Sequence, residues 1–245
     1  MTFAVPTKQF ARTFAVLVLA GMLVACPKPV REPPPEKAPA PAAPATPVPD
    51  LGGATIYEVN PQASAVHILV YRGGTLARLG HNHVMSVQGL RGRIWSHPTL
   101  AKSGMSLSFP VAQLLVDDPA ARRAAGSDFP PDIPQNDRDG TRRNMLREET
   151  LDAEHYPEVT LQSVSITGTL PQPKVTLKIT IRNAQQDVVV VPVVKTEGAR
   201  ITVSGEFDIL QTALGIKPFS AALGALEVQD RLHVKFSVVA EKKQS

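Results

Sequence analysis

Two histidines stand two residues apart in the segment RLGHNHV, residues 78–84. On a strand, His81 and His83 would face the same side, and same-face imidazoles can chelate zinc, copper or iron. A stable site needs a third and usually a fourth ligand, and His155 is the best distant candidate. The sequence therefore leaves open a metal- or haem-associated redox protein that uses the His81/His83 pair, with His155 as a weak additional ligand.

A second interpretation of the same segment needs no metal. Gly80 would let the chain turn at a strand end, and Arg78, His81 and His83 would then form the rim of a cavity. Their N–H groups suit a polar head group such as a quinone carbonyl or a phosphate. No serine or cysteine lies in the strand–turn–helix context of a hydrolytic nucleophile, so we expect a binding protein and not an enzyme.

The first 25 residues have the features of an export signal. Lys8 and Arg12 precede the apolar run TFAVLVLAGMLVA, which is shorter than the roughly 20 residues that a permanent span needs. Residues 23–26, LVAC, resemble the lipobox of bacterial lipoproteins, in which the cysteine is acylated with diacylglycerol and the new N-terminus is usually acylated too. The resemblance implies that Cys26 anchors the protein in the bacterial envelope, facing the periplasm. Pro27 replaces the aspartate that retains lipoproteins in the inner membrane, which favours the outer membrane.

The residues after this signal predict an extended tether before a folded domain. Residues 27–49 are rich in proline, which fixes φ and leaves little apolar surface to pack, so we assign residues 26–53 to the tether. Loss of Lys8 and Arg12 with the signal would lower the net charge from +4 to +2. This nearly balanced charge does not predict a nucleic-acid-binding surface. Cys26 is the only cysteine, so no internal disulfide is expected.

Residues 54–241 show the period of β-strands. In RLHVKFSVV, residues 231–239, apolar residues alternate with polar ones, and about eight segments of this kind follow one another. Such alternation predicts an all-β antiparallel barrel or sandwich. One short helix is expected around residues 140–152, with Thr141 as its N-cap, after a long, solvated loop over residues 117–140.

Four stretches together resemble the YceI-like family of polyisoprenoid-binding, lipocalin-like barrels. They are YEVNPQASAVHILV (57–70), NMLREETLDAEHYPEVTLQS (144–163), LKITIRNAQQDVVVVPV (177–193) and GEFDILQTALGIKPFSAALGALEVQDRLHVKFSV (205–238). The resemblance covers roughly residues 54 to 240. It implies an eight-stranded antiparallel barrel with a small helix, whose interior holds a long isoprenoid chain such as a quinone tail. ARLGHNHVMSVQG (77–89) and the loop at 117–140 depart from the common family pattern, which leaves the ligand's identity open.

The alternation assigns a set of hydrocarbon side chains to the interior of this barrel. They are Val66, Ile68, Val70, Leu107, Phe109, Ile179, Ile181, Val203, Phe207, Val234 and Phe236. If they enclose a cavity, the protein holds a polyisoprenoid or quinone-like lipid for transport, storage or protection, because burial of hydrocarbon dominates such binding. If they meet at the centre, the interior is a filled core and the protein is a structural or partner-binding module.

Overall fold

The computed structural model describes residues 51–242; the predicted signal peptide, Cys26 and nearly all of the predicted tether lie outside them. Within these residues the chain forms thirteen strands, two α-helices and five short 3₁₀ turns. The strands are β1 (Thr55–Val59), β2 (Ala65–Gly73), β3 (His83–Ser86), β4 (Arg91–Ser96), β5 (Gly104–Pro110), β6 (Leu115–Val116), β7 (Glu158–Thr167), β8 (Lys174–Ile181), β9 (Ala184–Val190), β10 (Val193–Glu197), β11 (Arg200–Leu210), β12 (Ser220–Ala221) and β13 (Leu226–Lys242). The helices are α1 (Pro119–Ala125) and α2 (Gln135–Leu146).

The strands form one antiparallel sheet that is organised around the long strand β13. One edge of β13 pairs first with β2 and then, beyond the end of β2, with β1. Its other edge pairs with β12 and β11, and β11 pairs in turn with β10. From β2 the sheet continues through β3 to β6, and from β1 it continues through β4, β5, β7 and β8 to β9. The single strand β13 therefore joins both branches of the sheet.

The sheet is of the β-barrel type, but backbone ladders between the described strands do not close it. Strand β9 ends the path and pairs only with β8. Next to it, the Leu210 N–H of β11 donates to the side-chain Oε1 of Gln186 on β9 (3.4 Å). The expectation of an eight-stranded closed barrel was therefore wrong in strand number and closure, whereas the all-β antiparallel class is confirmed. Periodicity missed the two-residue strands β6 and β12, and Pro192 divides one apolar run into β9 and β10.

A glycine in β4 permits close approach of the neighbouring strand. Gly92 has a φ of +130°, and a Cβ on it would collide with the carbonyl oxygen of Ser106 on β5. Only glycine adopts this backbone region without strain while leaving space for the adjacent chain.

The segment predicted as a solvated loop is instead a structured cover of the sheet. Helix α1 begins after Asp118, whose side chain accepts the N–H groups of Ala120 and Ala121 (3.0 and 2.9 Å). Ala121 and Phe129 then belong to an apolar cluster that is separate from the main apolar cluster inside the sheet. The other members of this cluster are Leu69, Val84, Tyr71 and Ala125. Since Leu69 lies between two inward-pointing residues of β2, this cluster covers the outer face of the sheet.

The second helix lies earlier in the chain than the sequence predicted. Helix α2 begins after Pro134 and ends at Leu146, so Thr141 lies inside it and is not its N-cap. Proline pre-sets φ near the helical value and needs no N–H partner, which makes Pro134 a suitable place to begin. Arg142 fixes the helix by donating to the carbonyl oxygens of Leu114 (2.7 Å) and Ala112 (2.5 Å). Neither helix of residues 51–242 combines the length and apolarity needed to cross a membrane.

Candidate functional site

Two apolar cavities lie inside the curled sheet. The first, cavity 1, has a free volume of about 140 Å³ and is lined from nine strands. The second, cavity 2, has a free volume of about 200 Å³ and is lined by strands, by helix α2 and by the turns that follow α2 and β11. The interior is therefore not filled from end to end.

Some strands run past both cavities, so that residues at one end line cavity 1 and residues further along line cavity 2. On β2, Val66 lines cavity 1, whereas Ile68 and Val70 line cavity 2. Strand β11 shows the same change between Phe207 and Ile209. Because residues i and i+2 of a strand face the same side, the cavities succeed each other along one interior.

Phe109 is the residue that lines both cavities, and it is 6% exposed. Its ring on β5 therefore lies at the junction between the two spaces. A ligand that occupies both cavities would therefore contact Phe109.

Most of the predicted lining residues border these spaces. Those bordering cavity 1 are Val66, Leu107, Phe109, Val203, Phe207, Val234 and Phe236. Those bordering cavity 2 are Ile68, Val70, Phe109 and Ile181. Ile179 is buried in the main apolar cluster and lines neither cavity. Contact between these side chains and a ligand remains a prediction.

His83 brings a polar group to cavity 2. It begins strand β3, where it lies opposite Val70 of β2, and both residues line the cavity. Its Nδ1 is 2.6 Å from Oδ2 of Asp117. The side chain of His83 is 15% exposed and that of Asp117 is fully buried.

Both carboxylate oxygens and the backbone N–H of Asp117 have hydrogen-bond partners. Its Oδ1 accepts the backbone N–H of Val84 (2.9 Å), and its own N–H donates to the Val84 carbonyl (2.8 Å). The fully buried Arg122 of α1 donates Nη1 to the same Oδ1 (2.5 Å). Arg122 also donates to the carbonyl oxygens of Asn82 (2.7 Å) and Pro130 (2.5 Å). A buried ion pair therefore connects the outer cover of the sheet to the histidine at cavity 2.

The charged form of Asp117 is stabilised by these partners. Burial opposes ionisation of this carboxyl group, but the hydrogen bond and charge of His83, the Val84 N–H and the charge of Arg122 together lower the pKa of Asp117. Asp117 is therefore a carboxylate that only accepts hydrogen bonds.

The other two predicted rim residues lie elsewhere. Arg78 and His81 are exposed and line neither cavity. The strand begins only at His83, and the rings of His81 and His83 are 6.3 Å apart in an edge-on arrangement. Of the predicted rim, the structure brings His83 alone to a cavity.

The described residues contain no cluster of three or more His, Cys, Asp or Glu side chains arranged to hold a metal ion. His155 places its Nδ1 2.7 Å from Oδ1 of Asp152, three residues earlier in the chain. His83 has Asp117 as its carboxylate partner. The described residues therefore do not bring His81, His83 and His155 together as a three-ligand site, and the alternative of a metal- or haem-associated redox protein stays a prediction.

Sequence reasoning missed Asp117 and Arg122. They are 34 and 39 positions from His83, so spacing alone does not pair them with it. A local signal for α1 was present in DDPAARRAAG, where aspartate precedes a proline at the first helical position and glycine follows the last one. That signal would have replaced the solvated loop with a helix, and the arginine on its buried face would then have required a partner.

Solved structures of known proteins include chains that are similar to this one. The crystal structure of Burkholderia cenocepacia BcnA is 19% identical in sequence, with a TM-score of 0.53, and the alignment covers 74% of this chain and 99% of that chain. A Campylobacter jejuni YceI protein that crystallizes with large solvent channels is 14% identical, with a TM-score of 0.47 over 64% of this chain and 84% of that chain. No curated protein matches.

The first of these likenesses, at this low identity, shows the fold. The family itself is shown by sequence, because the model of the YceI-like domain matches residues 57–240, most of the chain. The chain therefore belongs to the YceI-like family.

Proposed function

We propose that this protein binds a polyisoprenoid or similar amphiphile, such as a quinone-like lipid, inside its sheet and thereby carries, stores or shields it. The observation that carries the proposal is the pair of successive apolar cavities, which share Phe109 as a lining residue. Membership of a family that binds hydrophobic ligands such as polyisoprenoids supports it.

The lining explains why a long hydrocarbon would bind here. Burial of each methylene-sized group contributes about 0.8 kcal/mol, so a chain of 15 carbons contributes about 12 kcal/mol before the costs of association. A head-group hydrogen bond contributes about 1 kcal/mol. The tail therefore sets the affinity, and the head group modifies it.

The sizes of the cavities support the proposal that one ligand occupies both. An apolar cavity of about 150 Å³ accepts a ligand the size of benzene, so either cavity alone fits only a short part of an isoprenoid. A ligand of several isoprene units needs the two cavities together, and the Phe109 ring must then turn aside.

The same proposal places the protein on a membrane through its N-terminus. Acylation of Cys26 would fix it to the bacterial envelope, with the outer membrane favoured by Pro27. Radiolabelled palmitate fed to cells is expected to label the wild-type chain and not the Cys26→Ala variant; equal labelling of both would contradict this part.

The proposed activity is binding without catalysis, since the two cavities offer hydrocarbon and few polar groups. Its test uses Trp95, the single tryptophan, which lines cavity 1. Titration of the delipidated full-length chain with geranylgeraniol should shift Trp95 emission to the blue and saturate at one ligand per chain. A linear change without saturation would contradict the proposal.

A further inference from the structure

We propose that His83 recognises a hydroxyl head group, so that the ligand is an isoprenoid alcohol or phenol and not a phosphate ester. The inference rests on the proposed function, because it concerns the head of a ligand whose tail fills the cavities. It assigns a role in specificity to the histidine and a positioning role to the buried Asp117–Arg122 pair.

The partner of His83 determines which of its ring nitrogens carries the proton. Asp117 is a carboxylate and has no proton to donate, so the Nδ1 at 2.6 Å must be the donor. In the neutral imidazole Nε2 then has a free lone pair and is an acceptor. The side chain of His83 makes no hydrogen bond through Nε2 within residues 51–242. In the neutral form of the ring, the atom that His83 offers to a ligand is therefore a hydrogen-bond acceptor.

This orientation is fixed by groups outside the cavity. Arg122 and the Val84 N–H both bind Oδ1 of Asp117, which leaves Oδ2 for the imidazole. Arg122 and Asp117 are both fully buried, and their charges compensate each other. The carboxylate cannot turn away without leaving the buried guanidinium unpaired, which is costly.

The rest of cavity 2 selects an uncharged head. No Lys, Arg, Asp or Glu is found among the side chains that line it, so nothing there compensates a phosphate. The hydroxyl of Thr150 already donates to the Met145 carbonyl, and the Gln211 amide donates to that of Gln229. Thr141 and Asn144 of α2 also bring polar side chains to the cavity, but His83 is the lining group whose ring is oriented by a buried carboxylate.

A hydroxyl is the head that fits these conditions. It donates one hydrogen bond to Nε2, carries no charge and is small enough for an apolar cavity. A quinone carbonyl has no proton to donate to Nε2, whereas the hydroxyl of the corresponding hydroquinone does. His83 therefore discriminates by the presence of a donor on the head group.

Farnesol and its methyl ether form a matched pair of probes, because methylation removes the donor and keeps the tail. Their affinities for the delipidated full-length chain are measured by calorimetry at pH 8. Wild type should bind farnesol about 2- to 12-fold more tightly than the ether, the range of one net hydrogen bond. In His83→Phe this ratio should fall to about one while ether binding is retained. His81→Phe, an exposed neighbour of the same type, should keep the wild-type ratio.

A second variant tests the positioning role. In Asp117→Asn the amide N–H can donate to Nδ1, which moves the histidine proton to Nε2 and makes it a donor. Alcohol and ether oxygens both accept from a donor, so the preference for farnesol should disappear although His83 is intact. A thermal melt of each variant confirms that it is folded, and His83→Phe carries the test if Asp117→Asn does not fold.

The outcomes separate this inference from the proposed function. If wild type binds neither probe, the proposed function fails and the inference fails with it. If wild type binds both probes equally, lipid binding stands and hydroxyl recognition is overturned. If His83→Phe keeps the preference, another residue reads the head group and the inference is also overturned.

Discussion

Replacement of Arg122 by methionine should destabilise the protein more strongly than any ordinary surface change. Arg122 is fully buried and donates to Asp117, to the Asn82 carbonyl and to the Pro130 carbonyl. Methionine keeps the apolar stem and removes these donors, leaving the Asp117 carboxylate buried with fewer partners. Loss of one member of a buried pair costs about 3–5 kcal/mol. For a chain of this size, that corresponds to a melting temperature lower by about 6–20 °C.

The neighbouring Arg123 provides the control for this change. It stands on the same helix but is exposed, so Arg123→Met should alter stability by less than about 0.5 kcal/mol. Urea unfolding of both variants, followed by circular dichroism, measures the difference. Combining Arg122→Met with Asp117→Asn should cost less than the sum of the two changes, because the stranded charge is removed. Equal midpoints for Arg122→Met and Arg123→Met would refute the assignment of Arg122 as the group that compensates Asp117.

Three further changes test other parts of the structure. Phe109→Ala should lower the free energy of unfolding by about 3 kcal/mol, measured in urea. It should nevertheless bind geranylgeraniol more tightly, because no ring has to be displaced. Weaker binding by the folded variant would contradict the position of Phe109 at the junction of the two cavities. The lowered pKa of Asp117 stabilises the fold above the ordinary carboxyl value of 3.8, and this contribution is lost as the pH falls through the lower folded pKa. The stability difference between wild type and Asp117→Asn should therefore shrink below about pH 4, and urea midpoints that differ equally at pH 3 and pH 7 would count against it. Gly92→Ala should lower the melting temperature more than Gly198→Ala. Both glycines have positive φ, but only a Cβ on Gly92 would collide with a neighbouring strand. Equal melting temperatures of the two variants would exclude that contact.

The inner face of the sheet was predictable because it depends on a local period. Val66, Ile68 and Val70 alternate with polar or outward residues on β2, and the structure places all three at the cavities. Ile179 has the same pattern but lines neither cavity, since periodicity gives the face of a strand and not the free space beside it. Strand number and closure depend on backbone hydrogen bonds between distant segments. A local period in the sequence carries no information about such pairing.

The polar part of the site was only half accessible to sequence reasoning. The sequence drew attention to His83 because His81 stands next to it in the pattern. The two residues have different surroundings, because strand β3 begins at His83 and His81 lies before it. The group that fixes the imidazole comes from Asp117, after β6, and its counter-ion comes from α1. Three segments meet there through tertiary packing, so their spacing in the chain carries no signal of the contact.

The most direct test of the account is whether the interior holds one long apolar ligand. The full-length chain is incubated with geranylgeraniol and examined by native mass spectrometry. Two variants are compared with wild type: Val203→Trp, which fills cavity 1, and Thr202→Trp, at an adjacent position that lines neither cavity. We expect a one-to-one complex for wild type and Thr202→Trp, and loss of that complex for Val203→Trp. A wild-type chain that stays ligand-free, or a complex that persists undiminished in Val203→Trp, would contradict binding inside the sheet.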